Sequence, residues 1–193
     1  MNNFTAERFN KKASDQKSQP DKIVKSLALQ PGHYVADLGT GGGYFSMRFA
    51  EAVGDRGKVY AVDINQDFLD FVRSSAKIKG FYNVETIFAA EDRFNLPEKS
   101  MDLIFIREVT RHLPDRAEYF TNLKYFLKEK GRIAIIEQRR GGLSHLLKLS
   151  GNYIPKEVIV QRMGKAGYRL DKDFDFLPGH SFTIYSKKKI KKR

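Results

Sequence analysis

Apolar runs alternate along this chain with stretches whose apolar residues recur at helical spacing. Val35, Ala36 and Leu38 end a short buried-looking run, four glycines follow between Gly39 and Gly43, and YFSMRFAEAV from Tyr44 then repeats its apolar positions with a helical period. The pattern predicts a strand, a tight turn and a helix. KVYAVDI, from Lys58 to Ile64, reads as a second strand, and Gln66 to Gly80 as a helix stopped by its glycine. NVETIFA and MDLIFI predict a third and a fourth strand, DRAEYFTNLKYFLKEKG one long helix, and RIAIIEQ a fifth strand. Upstream, a helix from about Pro20 to Leu29 follows a polar stretch, Asn10 to Asp21, that reads as a mobile arm or loop.

Strands alternating with helices imply parallel crossovers that cover both faces of one sheet. The last third differs. A loop, GGLSHLLKLSGNY, leads to a helix from about Pro155 to Ala166, after which YRLDKDFDFL and HSFTIYSKK follow with only an LPGH turn between them. Two strands so joined predict an antiparallel pair at a sheet edge. The expected fold is α/β: a doubly wound, mostly parallel, seven-stranded Rossmann-like sheet with an antiparallel C-terminal edge hairpin. We expect an N-terminal arm over residues 1–19, a single domain over 20–186 and a basic tail over 187–193.

Composition narrows the chemistry. A chain of 193 residues is long enough to bury about 70% of its unfolded surface as one domain. Cysteine is absent, which excludes disulfides, thiolate metal sites and sulfur nucleophiles. No run approaches the roughly 20 apolar residues of a membrane span, and MNNFTAERFNKK lacks the apolar core of a secretory leader, so a cytoplasmic protein is expected. The formal net charge is +12, and six of those charges come from the last seven residues, Lys187 to Arg193. Such a tail either binds RNA or remains a solvated, solubilising run. The four histidines, His33, His112, His145 and His180, show no ligand spacing, and no metal site is expected.

The glycine turn carries the main chemical signal. Glycine permits positive φ and close approach of backbone to a ligand, and the helix that follows offers free N–H groups. A dinucleotide turn of the G-x-G-x-x-G kind would need glycine where Tyr44 stands, and Asp37, two residues before Gly39, would repel a pyrophosphate. A carboxylate at that strand end suits a cationic nucleoside without phosphate. Asp63, 24 positions after Gly39, ends the next strand, where a carboxylate can accept from both ribose hydroxyls; a helix cap is the competing role, with Asn65 as a rival cap.

D37-L-G39-T-G41-G-G43 resembles the D-x-G-x-G-x-G motif of class I S-adenosylmethionine-dependent methyltransferases, and the resemblance runs from about Gln19 to Ser186, nearest to the broad group of ubiquinone and menaquinone methyltransferases. It implies S-adenosyl-L-methionine as cofactor, held by Asp37, Gly39, Thr40, Gly41, Gly43 and Tyr44 at the turn and by Asp63 and Ile64 after the second strand. The adenine would be read near Ala90, Glu91 and Asp92, with Ala90 at the usual aspartate position. The loop IREVTRHLPDR would border cofactor and acceptor through Arg107, with Glu108 and His112 as candidate catalytic groups and Glu108 as the general base.

The arsenite enzymes of the same group need thiols, which this chain lacks, and IREV is not the N/D-P-P-aromatic turn of amino-adenine enzymes. A small-molecule acceptor is therefore expected, beneath a lid formed by Gly141 to Tyr153 with its leucines and His145; Gln138, Arg139 and Arg140 flank it. An RNA or ribosome methyltransferase using the basic tail, a nicotinamide oxidoreductase and a non-catalytic cofactor-binding protein are the alternatives.

Overall fold

A computed structural model describes residues 3–90, 95–110, 116–139 and 154–188. Its strands are β1 (Tyr34–Leu38), β2 (Lys58–Asp63), β3 (Val84–Phe88), β4 (Met101–Arg107), β5 (Leu127–Gln138), β6 (Tyr168–Phe174) and β7 (His180–Lys187). The helices are α1 (Asn3–Ser14), α2 (Pro20–Leu27), α3 (Tyr44–Val53), α4 (Gln66–Ile78), α5 (Arg116–Leu123) and α6 (Lys156–Lys165). One seven-stranded sheet runs in the order β3-β2-β1-β4-β5-β7-β6. β1 to β5 pair in parallel, and β7 runs antiparallel to both β5 and β6. This is the doubly wound sheet with a C-terminal antiparallel edge that the sequence predicts.

Both faces are covered, which explains why the central strands are nearly all apolar. Ala36, Leu38, Ile104, Ile106, Ile133 and Ile135 face α5 and α6 through Phe120, Leu123, Ile159 and Met163. Val35, Leu103, Phe105, Ala134 and Ile136 face α2 and α3 through Ile23, Leu27, Phe45, Phe49 and Val53. α4 closes a smaller cluster in which Val72 and Ala76 meet Met47 and Ala61. The chain runs outward from β1 through β2 and β3, then crosses back to β4 on the other side of β1. That reversal opens a crevice at the carboxyl ends of β1 and β4, where ligands of open α/β sheets bind.

Two local readings are corrected. The segment from Asn10 to Asp21, expected as a loop, is helical in large part: α1 reaches Ser14, a 3₁₀ turn covers Gln16–Ser18 and α2 begins at Pro20. The long helix expected up to Gly131 stops at Leu123, and β5 begins at Leu127. Pairing wins over local period there. The Tyr125 carbonyl accepts from Lys99 N at 2.9 Å, the Phe126 carbonyl accepts from Ser100 N and Met101 N at 2.9 and 2.8 Å, and Leu127 is fully buried opposite Met101. A register irregularity between Met101 and Leu103 absorbs the polar Lys128 to Lys130, and Gly131 lies so close to the Met101 carbonyl that a Cβ would stand 2.5 Å from its oxygen.

Asp102 is a structural carboxylate: its Oδ2 accepts from Tyr34 N at 2.8 Å and from Lys128 Nζ at 2.6 Å, tying β1 and β5 to β4.

Candidate functional site

The crevice holds a cavity of about 820 Å³, walled by the glycine turn, the ends of β1, β2 and β4, and α1. Asp37 at the end of β1 is 3% exposed and lines it. Ser46 Oγ donates to Asp37 Oδ2 at 2.6 Å, and Thr40 Oγ1 lies 2.8 Å from Ser46 Oγ. Burial raises the Asp37 carboxyl; hydrogen bonds from Ser46 and Thr40 and the charge of Arg107 oppose that, Asp63 adds to it, and the net is a pKa pushed up to about 6.

Asp63 ends β2 and grips the turn. Its Oδ2 accepts from Gly41 N at 2.9 Å and its Oδ1 from Asn65 N at 3.0 Å. Burial raises its pKa, and these backbone donors hold it back. The competing cap role falls to Asn65, whose Oδ1 accepts from Asp67 N at 2.9 Å and so caps α4. Backbone N–H groups of Gly41, Asn65 and Ile64 thus fill three of the about four acceptor positions of the Asp63 carboxylate, which lines the cavity.

The turn has little room for side chains. Gly39, Gly41 and Gly43 have positive φ; a Cβ on Gly39 would collide with Val109 and one on Gly43 would stand 2.6 Å from Val72 Cγ2. Gly42 is excluded from bearing a Cβ for a different reason: α1 crosses it, and the atom would fall on the Ala6 carbonyl oxygen and the Asn10 amide. Asn10 clamps the turn, donating from Nδ2 to Gly42 O at 2.7 Å and accepting from Tyr44 N at 3.0 Å on Oδ1. We expect Gly42→Ala to cost about 1–3 kcal/mol through this overpacking, read as a melting temperature lowered by several degrees in thermal denaturation.

At the other end of the cavity lie Arg107, Glu108, Val109 and Tyr119. The Arg107 guanidinium sits 5.2 Å from the Phe45 ring centroid, and its buried Nε has no hydrogen-bond partner among the described residues. Burial disfavours its charge, while Glu108 and Asp37 support it. Glu108 takes a positive φ of 58° and gathers donors from several elements: Lys12 Nζ on Oε2 at 2.7 Å, His180 Nε2 beside Oε1 at 3.3 Å, Gln138 Nε2 on Oε2 at 3.4 Å and Arg107 at 3.7 Å. Burial alone would raise its carboxyl, but His180, Lys12 and Arg107 outweigh it and hold the pKa down to about 2.

Asp37, Gly39, Thr40, Gly41, Tyr44, Asp63, Ile64, Arg107 and Glu108 therefore line one cavity; Gly43 starts α3 just behind it, and Ala90 follows the lining residue Ala89. His112, Glu91, Asp92, Arg140, the expected lid at Gly141 to Tyr153 with His145, and the tail beyond Lys188 lie outside the described residues. Sequence reasoning missed Phe9, Asn10 and Lys12 of α1, along with Phe68 and Ser46. The available signal was the small-residue spacing of Ala6 and Ala13, which are 1% and 6% exposed and let the helix approach closely.

S-adenosylmethionine is a nucleoside with an ammonium, a sulfonium and a carboxylate but no phosphate. The residues present fit it: a turn that is crowded at Gly39, Gly42 and Gly43, an accepting carboxylate at the end of β2, a buried carboxyl at the end of β1 and an arginine Nε still to be paired. Fold and site together define a Rossmann-like protein built to hold a nucleoside cofactor at its switch point. The family profile described as a methyltransferase domain matches residues 29–174, and this chain belongs to the S-adenosylmethionine-dependent methyltransferase family.

Among relatives, the ubiquinone/menaquinone biosynthesis C-methyltransferase UbiE of Vibrio cholerae (classical Ogawa strain) is 30% identical over 143 residues, covering 74% of this chain and 54% of the relative. UbiE of Shewanella frigidimarina is 30% identical over 115 residues, covering 59% and 46%. The chain thus spans about half the length of the curated relatives it matches. In fold it is similar to a SAM-dependent methyltransferase from Aquifex aeolicus, with a TM-score of 0.80 at 23% identity over 92% of this chain and 96% of that one. It is also similar to the [4+2]-cyclase SpnF, with a TM-score of 0.72 at 13% identity over 88% and 81%. No helix among the described residues is long and apolar enough to cross a membrane.

Proposed function

We propose that this protein transfers the methyl group of S-adenosylmethionine to a small-molecule acceptor, with a carbon nucleophile as the favoured target. One observation carries the reading: a single cavity of about 820 Å³ runs from Asp63 past Asp37 to Arg107, Glu108 and Tyr119, roofed by α1, in the size range of small-ligand sites. The similarity to UbiE, named as a C-methyltransferase, supports the choice of nucleophile.

When bound, the cofactor supplies an already activated methyl carbon on a sulfonium. The chain's own residues are then left with positioning and exclusion of water. Asp63 accepts from the ribose hydroxyls, and the turn from Gly39 to Gly43 admits the backbone close to the nucleoside. Asp37 meets the methionyl ammonium with its carboxylate, and Arg107 pairs the methionyl carboxylate through the nitrogen it leaves unpartnered.

Glu108 does not suit the role of general base. A carboxylate with a pKa near 2 has little driving force to take a proton at neutral pH. Glu108→Gln is accordingly expected to leave kcat within about tenfold of wild type between pH 6 and 8, whereas a fall of roughly a hundredfold or more would make Glu108 the base after all.

The acceptor class is tested by incubating the protein with methyl-labelled cofactor and a cell extract divided into lipid, small-molecule, protein and RNA fractions. Label in the lipid or small-molecule fraction is expected. Label confined to RNA or protein would overturn the proposal.

A further inference from the structure

We propose that α1 is part of the cofactor site, with Phe9 forming the wall against the adenosine and the Lys12–Glu108 pair retaining the bound molecule. The inference rests on the cofactor reading above and adds to it a binding wall from outside the residues that the family profile matches.

Three observations converge. First, α1 is fixed in place over the turn: Asn10 bonds both Gly42 O and Tyr44 N, and the helix's own Ala6 and Ala13 are buried. Those two bonds set the backbone whose N–H of Gly41 Asp63 holds, so Asn10 is a positioning residue for the turn. Second, Phe9 remains 48% exposed although it lines the cavity and packs edge-on to Phe68, with ring centroids 5.6 Å apart. A Cβ built on Gly41 would lie 3.7 Å from Phe9, which puts the ring beside the glycine that donates to Asp63. Ile64, the residue after Asp63, lines the same end and is 66% exposed. A phenyl ring and an aliphatic side chain that line the cavity together with a ribose acceptor, and are left exposed there, offer apolar contact to a flat heteroaromatic ring, and adenine is the ring that the cofactor brings. Third, Lys12 reaches across the cavity to Glu108 at 2.7 Å, joining α1 to β4 at the methyl-transfer end. A molecule lying between Asp63 and Arg107 would lie against α1, and the Lys12–Glu108 pair, which ties that helix to the end of β4, would slow its release.

The consequence is separable by ligand. Phe9 acts on the nucleoside half, so Phe9→Ala weakens adenosine and S-adenosylmethionine by the same factor, at least fivefold each, in isothermal titration of the full chain. Phe9→Leu, which keeps an apolar contact with Phe68, preserves the wild-type melting temperature without ligand and still binds both at least threefold more weakly. Lys12→Met, at an exposed position, speeds dissociation of S-adenosylmethionine at least threefold in stopped-flow displacement and leaves adenosine affinity within twofold of wild type.

Wild-type affinities for both ligands in both Phe9 variants would overturn the adenosine wall, and an unchanged dissociation rate in Lys12→Met would overturn the retaining pair. Failure of the underlying reading looks different: the wild-type chain itself would then bind neither adenosine nor S-adenosylmethionine.

Discussion

Asp37→Asn is expected to melt at a higher temperature than wild type at pH 7 to 8 without cofactor, and to bind S-adenosylmethionine at least tenfold more weakly. The two effects have one origin. Burial lifts the Asp37 carboxyl from the ordinary 3.8 to about 6, so the folded protein holds that proton more tightly than the unfolded chain. Stability contributed by the protonated group is fully present below pH 3.8 and is lost as pH rises through about 6. Two pK units of difference correspond to roughly 3 kcal/mol at neutral pH. Asparagine keeps a carbonyl acceptor for Ser46 Oγ without the buried charge, and should recover about 1–3 kcal/mol, several degrees in the melting temperature of a domain this size.

Under the proposal above, the cationic ammonium of the cofactor would offset that buried charge. S-adenosylmethionine affinity in wild type should therefore weaken by up to about tenfold per pH unit below pH 6, where binding must first expel a proton, and this dependence should vanish in Asp37→Asn. Calorimetric titrations of both proteins between pH 5 and 8 check this. Equal affinity in the two proteins at pH 7.5 would remove Asp37 from the site.

The second large effect is expected at the end of β2. Asp63→Ala removes an acceptor that holds Gly41 N at 2.9 Å and Asn65 N at 3.0 Å and that is assigned to the ribose hydroxyls. Charged hydrogen bonds of this kind contribute about 1.5–3 kcal/mol, so cofactor affinity should fall roughly 10- to 150-fold. Asn65→Ala is the companion variant. It strips the cap from Asp67 N and should cost about 1 kcal/mol of stability while moving cofactor affinity less than threefold. The reverse pattern, with Asn65→Ala losing the ligand and Asp63→Ala keeping it, would exchange the two roles.

The parts of this molecule that can be read from the chain are those whose physics is local. The strands around β1 are continuous apolar runs because both faces of the sheet are covered, and Gly39 to Gly43 followed by a helical period can be little else than a strand-to-helix turn. α1 could not be read in the same way. Among its described side chains the buried face consists of two alanines and an asparagine, so hydrophobic period says almost nothing, and its position follows from where Gly42 and Tyr44 offer a free carbonyl and a free N–H.

The start of β5 was hidden for the opposite reason. FLKEK has strong helical character, yet Leu127 and Phe126 are claimed by partners near Met101. Glu108 shows the limit most clearly. Its partners lie 96, 72 and 30 positions away in sequence, on α1, β7 and β5, and only their assembly turns a candidate base into an anchored, weakly basic anion.

Fold similarity alone does not name the reaction, since the cyclase SpnF is similar in architecture; the charges of the crevice bear on which cofactor it takes. A strand-end acid such as Asp63 would serve the ribose of either cofactor, so the discrimination rests on Asp37, whose buried carboxyl would repel a pyrophosphate and, under the proposal, would meet the ammonium of S-adenosylmethionine. The deciding measurement is a pair of calorimetric titrations of the full chain at pH 7.5, one with S-adenosylmethionine and one with NAD. Saturable binding of the first with no detectable heat from the second is the predicted result. Binding of NAD with S-adenosylmethionine excluded would contradict it.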